Sequence, residues 1–189
     1  MTPLPHDFFR RKAPDLAQAL IGATLLVDGV GGVVVETEAY SHDDPASHSF
    51  AGPTLRNAAM FGPGGHAYVY RSYGIHWCLN VVCDTQPAGS AVLIRALMPV
   101  SGVDAMRQRR NREALRDLCR GPGMLCQALG VTGALDGLPL DRPPFAFGAP
   151  EGQAAIVTGP RIGITRGAAT PWRFGLAGSA FVSRNFGDR

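Results

Sequence analysis

The sequence predicts an α+β fold in a single domain, with strands paired through hairpins and a few short flanking helices. Three observations carry this. The chain has 189 residues, 46% of them hydrophobic, which fits one domain with a substantial core. Apolar runs of strand length follow one another across Gly-rich turns, and only a few stretches have helical punctuation. No internal repeat and no linker divides the chain.

The elements follow in order. Pro14 to Ile21 reads as a short helix, with Pro14 in its first turn and Gly22 after its end. Thr24 to Asp28 and Val33 to Ala39 read as a hairpin around Gly29-Val30-Gly31-Gly32. Ser41 to Gly52 is a loop, and Thr54 to Phe61 a short helix stopped by Gly62-Pro63-Gly64-Gly65. His66 to Ser72 and His76 to Cys83 are strands joined through Tyr73-Gly74, and Ser90 to Met98 is a further strand. Asp104 to Cys119 reads as a helix with Asp104 as its N-cap, and Pro122 to Leu129 as another with Gly130 past its end. Glycine and proline make Gly133 to Gly152 a long loop. Ala154 to Thr165 and Phe174 to Ser183 read as late strands.

Charge is sparse and one-sided in kind. Only Lys12 of the 18 basic residues is a lysine; the other 17 are arginines, and the net charge is +3. Arg107, Arg109, Arg110, Arg112, Arg116 and Arg120 cluster in sequence, either as a solvated helix face or as contacts to phosphate, which the guanidinium fork matches. Cysteines 78, 83, 119 and 126 lack the spacing of a zinc knuckle or a redox pair, so buried free thiols and no metal are expected. Neither a secretory signal nor an 18-residue apolar stretch is present. The expectation is therefore a soluble protein with no membrane partner.

Two segments bear chemistry. In Val33-Val34-Val35-Glu36-Thr37-Glu38-Ala39-Tyr40, strand alternation puts Val34, Glu36, Glu38 and Tyr40 on one face, and the following loop brings His48. That is either a half-buried surface strand or a site where a carboxylate beside a ring holds a flat ligand and activates water. In His66 to Val82, Tyr68 and Tyr70 share a strand face. Tyr73 has the other parity and lies at the bend beside Gly74, at an exposed tip. Aromatic core is the alternative reading, strongest for Tyr68.

These segments together resemble the alkyladenine (3-methyladenine) DNA glycosylase family, of the mammalian-type fold. The resemblance rests on Val35-Glu36-Thr37-Glu38-Ala39-Tyr40, Ala46-Ser47-His48-Ser49, Arg56-Asn57 with Met60-Phe61, Tyr68-Val69-Tyr70 with Tyr73-Gly74, Cys78 with Asn80, Val92 to Leu97, and Gly121-Pro122 with Leu125 to Leu129. It runs in order from about residue 8 to 184. It implies a mostly antiparallel curved sheet with flanking helices and a protruding β-hairpin, like the C-terminal domain of methionyl-tRNA formyltransferase. Residues 1–189 would form one DNA glycosylase domain.

By the same resemblance, Glu38 is the base that activates the water attacking the sugar C1′, and Arg95 a pocket and backbone contact near that water. Tyr40, His48 and Tyr70 wall the pocket for a flipped base, and Asn80 crowds the 2-amino group of guanine. Tyr73 is the wedge entering the minor groove, with apolar Ile75 beside it where the mammalian proteins have methionine. His76 replaces an aromatic, and the loop Ser49 to Pro53 is less basic and shorter than in the mammalian enzymes. Glu36 is expected to be structural, paired with an arginine.

The implied partner is double-stranded DNA carrying a damaged purine, bound by a monomer in the bacterial cytoplasm and nucleoid. The implied substrates are 3-methyladenine and 7-methylguanine, with hypoxanthine and ethenoadenine as further candidates; no cofactor is implied. A base in a duplex must be extruded before it is cut, and the gap filled. Stacking between rings is worth roughly 1–3 kcal/mol per base, and a cationic alkylated base adds a cation–π term of about 0.5–2 kcal/mol. A Schiff-base lyase needs an amine nucleophile, whereas a carboxylate suits a monofunctional hydrolase. Two other readings stand beside this one: a non-catalytic nucleic-acid-binding module of the same fold, and a nucleoside hydrolase. The first has no need of Glu38. The second usually carries an aspartate-rich metal site, for which only Asp43-Asp44 is available.

Overall fold

The computed structural model describes residues 1–83 and 85–187. Eight antiparallel strands form one curled sheet, in the order β3-β4-β5-β2-β1-β6, with β8 pairing both β2 and β7. The strands are β1 (Thr24–Val27), β2 (Val30–Tyr40), β3 (Ala67–Ser72), β4 (His76–Val82), β5 (Ala91–Ser101), β6 (Phe145–Gly148), β7 (Ile156–Gly159) and β8 (Arg173–Leu176). Three helices flank it: α1 (Ala13–Ala19), α2 (Val103–Arg110) and α3 (Pro122–Leu129). The expected α+β domain with an antiparallel sheet is the observed one.

The core forms where these helices meet one side of β2, β4 and β5. Leu16, Ala17 and Leu20 of α1 and Leu125, Ala128 and Leu129 of α3 join Val34, Ala39, Leu79, Val92, Ile94 and Leu97 in one apolar cluster. Thr37 of β2 donates through Oγ1 to the Ala17 carbonyl at 2.8 Å, which fixes α1 over the strand. The four cysteines are buried and free.

Several boundaries differ from the sequence reading. The first hairpin turns at Asp28-Gly29, both at positive φ, and Gly31 and Gly32 lie inside β2 rather than in the loop. A Cβ on Gly31 would lie 1.9 Å from the Leu25 carbonyl oxygen, and one on Gly32 2.0 Å from that of Met98, so β2 can lie this close to its neighbours only without side chains there. The helix expected to Cys119 stops at Arg110, where Asn111 at φ +49° caps it. Beyond Met106 that segment has no apolar stripe to bury, and Leu118 and Cys119 reach the core only after the chain turns back. Gly102, not Asp104, occupies the N-cap of α2; Asp104 pairs with Arg107 at 2.9 Å.

The expected loop Gly133–Gly152 contains β6, whose Phe145 and Phe147 are buried where it pairs with β1. Pro160 and Gly163 end the strand expected to reach Thr165, and β8 stops at Leu176 just before Gly178 at φ +73°. The helix expected at Thr54–Phe61 is one 3-10 turn, Ala58–Phe61.

The register of β2 against β5 shifts between Val34 and Glu36 and again between Glu36 and Thr37. These irregularities reverse the alternation, so Val34 packs into the core while Glu36, Glu38 and Tyr40 face away from it, contrary to the expectation that all four share a face. At the same place β2 exchanges one edge partner for another, from β1 (Val30–Val33) to β8 (Glu36–Glu38).

Candidate active site

The central strand β2 is buried along nearly its whole length, so its two carboxylates lie inside the molecule: Glu36 and Glu38 are both 0% exposed. Buried charge requires partners, and the two carboxylates are partnered differently. Glu36 Oε1 accepts from Arg95 Nε at 3.0 Å, Arg173 Nε at 2.7 Å and Ser183 Oγ at 2.8 Å, and its Oε2 accepts from the Ser183 backbone N–H. It lines neither the cleft beside Glu38 nor the one adjoining it. Glu36 is therefore the structural carboxylate expected from the sequence, paired with two arginines.

Glu38 lines a cleft of about 660 Å³, a size suited to a small flat ligand. Its Oε1 accepts from the Ile162 N–H at 2.7 Å, and its Oε2 from the Tyr40 hydroxyl at 2.9 Å, with Arg95 Nη1 3.2 Å away. Three donors leave about one of the carboxylate's four acceptor positions open. Burial pushes the Glu38 carboxyl above the ordinary range, while Arg95, the Ile162 N–H and the Tyr40 hydroxyl pull it back. A carboxylate raised in this way is suited to accept a proton near neutral pH.

Ring walls surround this carboxylate. Tyr68 and Tyr70, two apart on β3, stack at 5.3 Å with 29° between their planes. The His48 ring meets Tyr70 edge-on at 4.5 Å, and its Nδ1 lies 2.9 Å from the Tyr68 hydroxyl. Asn57 anchors the His48 loop by donating from Nδ2 to the His48 carbonyl at 2.8 Å. Burial, helped by Arg56, lowers the His48 pKa, so the imidazole is neutral at neutral pH. Burial also lifts the phenols of Tyr40 and Tyr70, and that of Tyr68 to about 12, so all three stay protonated. Asn80, opposite Tyr68 on β4, is buried and donates from Nδ2 to the Tyr68 carbonyl at 3.0 Å.

At the rim, Tyr73 is 88% exposed and Ile75 68% exposed. Tyr73 (φ +49°) and Gly74 (φ +69°) form the turn of the β3–β4 hairpin, closed by Ile75 N–H to Ser72 O at 3.0 Å. A bulky residue in the left-handed region is uncommon, and here it points an unpacked ring out of the hairpin. His76, paired with Ser72 beside the turn, lies against α3, where a Cβ on Gly123 would come within 2.8 Å of it.

The cleft thus brings together Glu38, Arg95, Tyr40, His48, Tyr70, Asn80 and Tyr73. A sequence profile of the methylpurine-DNA glycosylase family matches residues 7–180. The chain belongs to this family. A protein of Rhodopseudomonas palustris (strain HaA2), named "Putative 3-methyladenine DNA glycosylase", is 64% identical over 184 residues, which is 97% of this chain and 92% of that protein. Proteins of the same name from Agrobacterium fabrum and Nitrosospira multiformis are each 60% identical, covering 97% and 96% of this chain and 93% and 94% of their own lengths.

Within this methylpurine-DNA glycosylase fold, Arg95 is 6% exposed and spends Nε, Nη1 and Nη2 on Glu36, Glu38 and Ser183. From the cleft wall it thereby bridges the two carboxylates. Ile75 lies at the rim but does not line the cleft. Several groups escaped the sequence reading. The strand expected across Ala154–Thr165 is a loop at Ile162, and it supplies a backbone donor to Glu38. Gly159-Pro160 was the available signal for a break there. Arg161 is buried behind Tyr40, 4.8 Å from that ring, and forms an ion pair with Asp44, including Nη2 to Oδ1 at 3.1 Å. Asp44 is thus a structural partner. No group of three or more His, Cys, Asp or Glu side chains converges among the described residues, and no helix there is long and apolar enough to cross a membrane.

Proposed function

We propose that this protein is a monofunctional DNA glycosylase that flips alkylated purines out of duplex DNA and hydrolyses the N-glycosidic bond. 3-Methyladenine and 7-methylguanine are its first substrates, with hypoxanthine and ethenoadenine next. One observation carries the reading: of two equally buried carboxylates, only Glu38 opens into the ring-walled cleft, and it keeps an acceptor position unfilled. A water held there is positioned to attack C1′ as the sugar develops oxocarbenium charge, and the carboxylate both takes its proton and stabilises that charge. Arg95 holds the carboxylate in register through its simultaneous bond to Glu36.

Tyr40, His48 and Tyr70 stack and clamp the base, whose positive charge when alkylated favours ring faces. Asn80 crowds a 2-amino group. Tyr73, with Ile75 beside it, fills the gap left by the flipped nucleotide. The sole lysine, Lys12, lies just before α1 and does not line the cleft, which supports hydrolysis without a Schiff base. The enzyme acts as a monomer in the cytoplasm, on nucleoid DNA.

The test is base release from a duplex carrying one hypoxanthine and from methylated genomic DNA, without added metal, for the wild type and Glu38→Gln. Release that depends on Glu38 supports the proposal. Tight binding without release by the wild type would instead make this a binding module of the same fold.

A further inference from the structure

A second cleft of about 510 Å³ adjoins the first, sharing Ile162 and Gly163 with it. Five arginines line it: Arg116, Arg120, Arg161, Arg173 and Arg184, and no carboxylate among the described residues does. Arg173 is already matched to Glu36 and Arg161 to Asp44. Arg116 and Arg184 are exposed and Arg120 is half-buried. Arg116 Nε is tied to the Ala180 carbonyl at 2.8 Å, and Arg120 has only a 4.0 Å approach to Asp117. The buried Nε of Arg161 has no hydrogen-bond acceptor. Donors in excess, a missing acceptor and three under-compensated cations describe a receptor for an oxyanion.

The other clustered arginines are differently engaged. Arg107 is paired with Asp104 and Glu113, Arg109 donates to the Ala128 carbonyl, and Arg110 donates to Gln127 and the Leu118 carbonyl. Arg109 and Arg110 thereby close α2 against the C-terminal end of α3, and Arg107 ties the helix to the segment that follows it. The segment carrying Arg184 is also bolted to the carboxylate layer. The Arg184 carbonyl accepts from Arg173 Nη2, and Ser183 donates to Glu36 through both Oγ and its backbone N–H.

Resting on the glycosylase reading above, we infer that this second cleft binds a phosphate of the lesion-bearing strand, held by Arg116, Arg120 and Arg184. A phosphate bound there fixes the damaged strand relative to Glu36, and through Arg95 relative to Glu38. Of the clustered arginines, Arg116 and Arg120 thus serve the phosphate, whereas Arg107, Arg109 and Arg110 fasten α2.

The test uses the full chain and a lesion duplex. Binding is measured over a series of salt concentrations in the Glu38→Gln background for Arg116→Gln, Arg120→Gln, Arg184→Gln, their combination, and Arg107→Gln as control. The triple variant is expected to reduce the slope of log K against log salt by about 0.9, the loss of one neutralised phosphate, each single variant by no more than that, and Arg107→Gln to leave it unchanged. Methylphosphonates then neutralise single phosphates near the lesion, on either strand. At the phosphate bound by the cleft, on the damaged strand, the arginine substitutions cost nothing further. An unchanged slope in the triple variant, an equal effect of Arg107→Gln, or non-additivity only on the complementary strand would each overturn the inference. Wild-type base release is measured in parallel. Its absence counts against the glycosylase reading, whereas release with an unchanged triple-variant slope counts against the phosphate cleft alone.

Discussion

Replacing Glu38 with glutamine removes the charge and keeps the volume, and its cost follows from the three donors around the carboxylate. Oε1 faces the Ile162 N–H, and Oε2 faces the Tyr40 hydroxyl and Arg95. A glutamine has one oxygen, so its NH₂ must oppose a donor on one side. An orphaned buried donor costs roughly 1–3 kcal/mol of stability, and for a domain of this size each kcal/mol lowers Tm by about 2–4 °C. The variant should fold and melt a few degrees lower. Loss of a general base costs about 10²–10⁴ in rate, near 3–5 kcal/mol of barrier at about 1.4 kcal/mol per decade.

The assay is single-turnover excision from an end-labelled lesion duplex, with anisotropy reporting binding and a thermal melt reporting folding. Excision within about tenfold of wild type by a folded Glu38→Gln would refute the reasoning. The pH dependence supplies a second check. Burial raises the Glu38 pKa, so the active carboxylate is lost, and wild-type excision falls, as pH drops through a value above the ordinary glutamate range. Its effect on stability has the opposite sign. The protonated form is favoured in the fold, so this contribution is complete below the ordinary value and is lost as pH rises through the raised one. An acid limb at the ordinary glutamate value or below would count against the buried base.

Three further substitutions test the site. Tyr73→Ala removes an 88% exposed ring, so stability should move by less than about 0.5 kcal/mol. Excision from duplex should nevertheless fall about ten- to a hundredfold, from a stacking loss of roughly 1–3 kcal/mol; a duplex rate equal to wild type, with lesion-strand fluorescence still reporting flipping, would remove the wedge. Asn80→Ser shortens a buried side chain that bonds the Tyr68 carbonyl, and should raise release of guanine relative to 3-methyladenine. An unchanged ratio in a base-release assay would contradict the gatekeeping role. Asp44→Ala strands the buried Arg161 charge and should cost about 3–5 kcal/mol in chemical denaturation, whereas a loss below about 1 kcal/mol would show that Arg161 finds other acceptors.

Much of this protein was legible in its sequence because strand period and turn chemistry are local. The hairpin Ala67–Val82, the β2 run and α3 appear close to where apolar alternation, Tyr73-Gly74 and Gly130 placed them. The ordered set Glu38, Tyr40, His48, Tyr70 and Asn80 pointed to one cleft, and those residues line it. Three things depended on the tertiary structure. The bulged register of β2 against β5 decided which residues share the face of Glu38, since one extra residue inverts parity and the extra residue is visible only against a partner strand. The carboxylates Glu36 and Glu38, two apart and chemically identical, were separated by contacts from Arg173 and Ser183 and from Ile162, all more than a hundred residues away in sequence. The arginine run, one block in sequence, was divided by where the chain turned at Asn111: some guanidiniums fell onto helix-end carbonyls, while others faced a cleft that no carboxylate among the described residues lines. Residue type sets what each group is able to do. The partners that long-range packing brings to it decide which of those things it does.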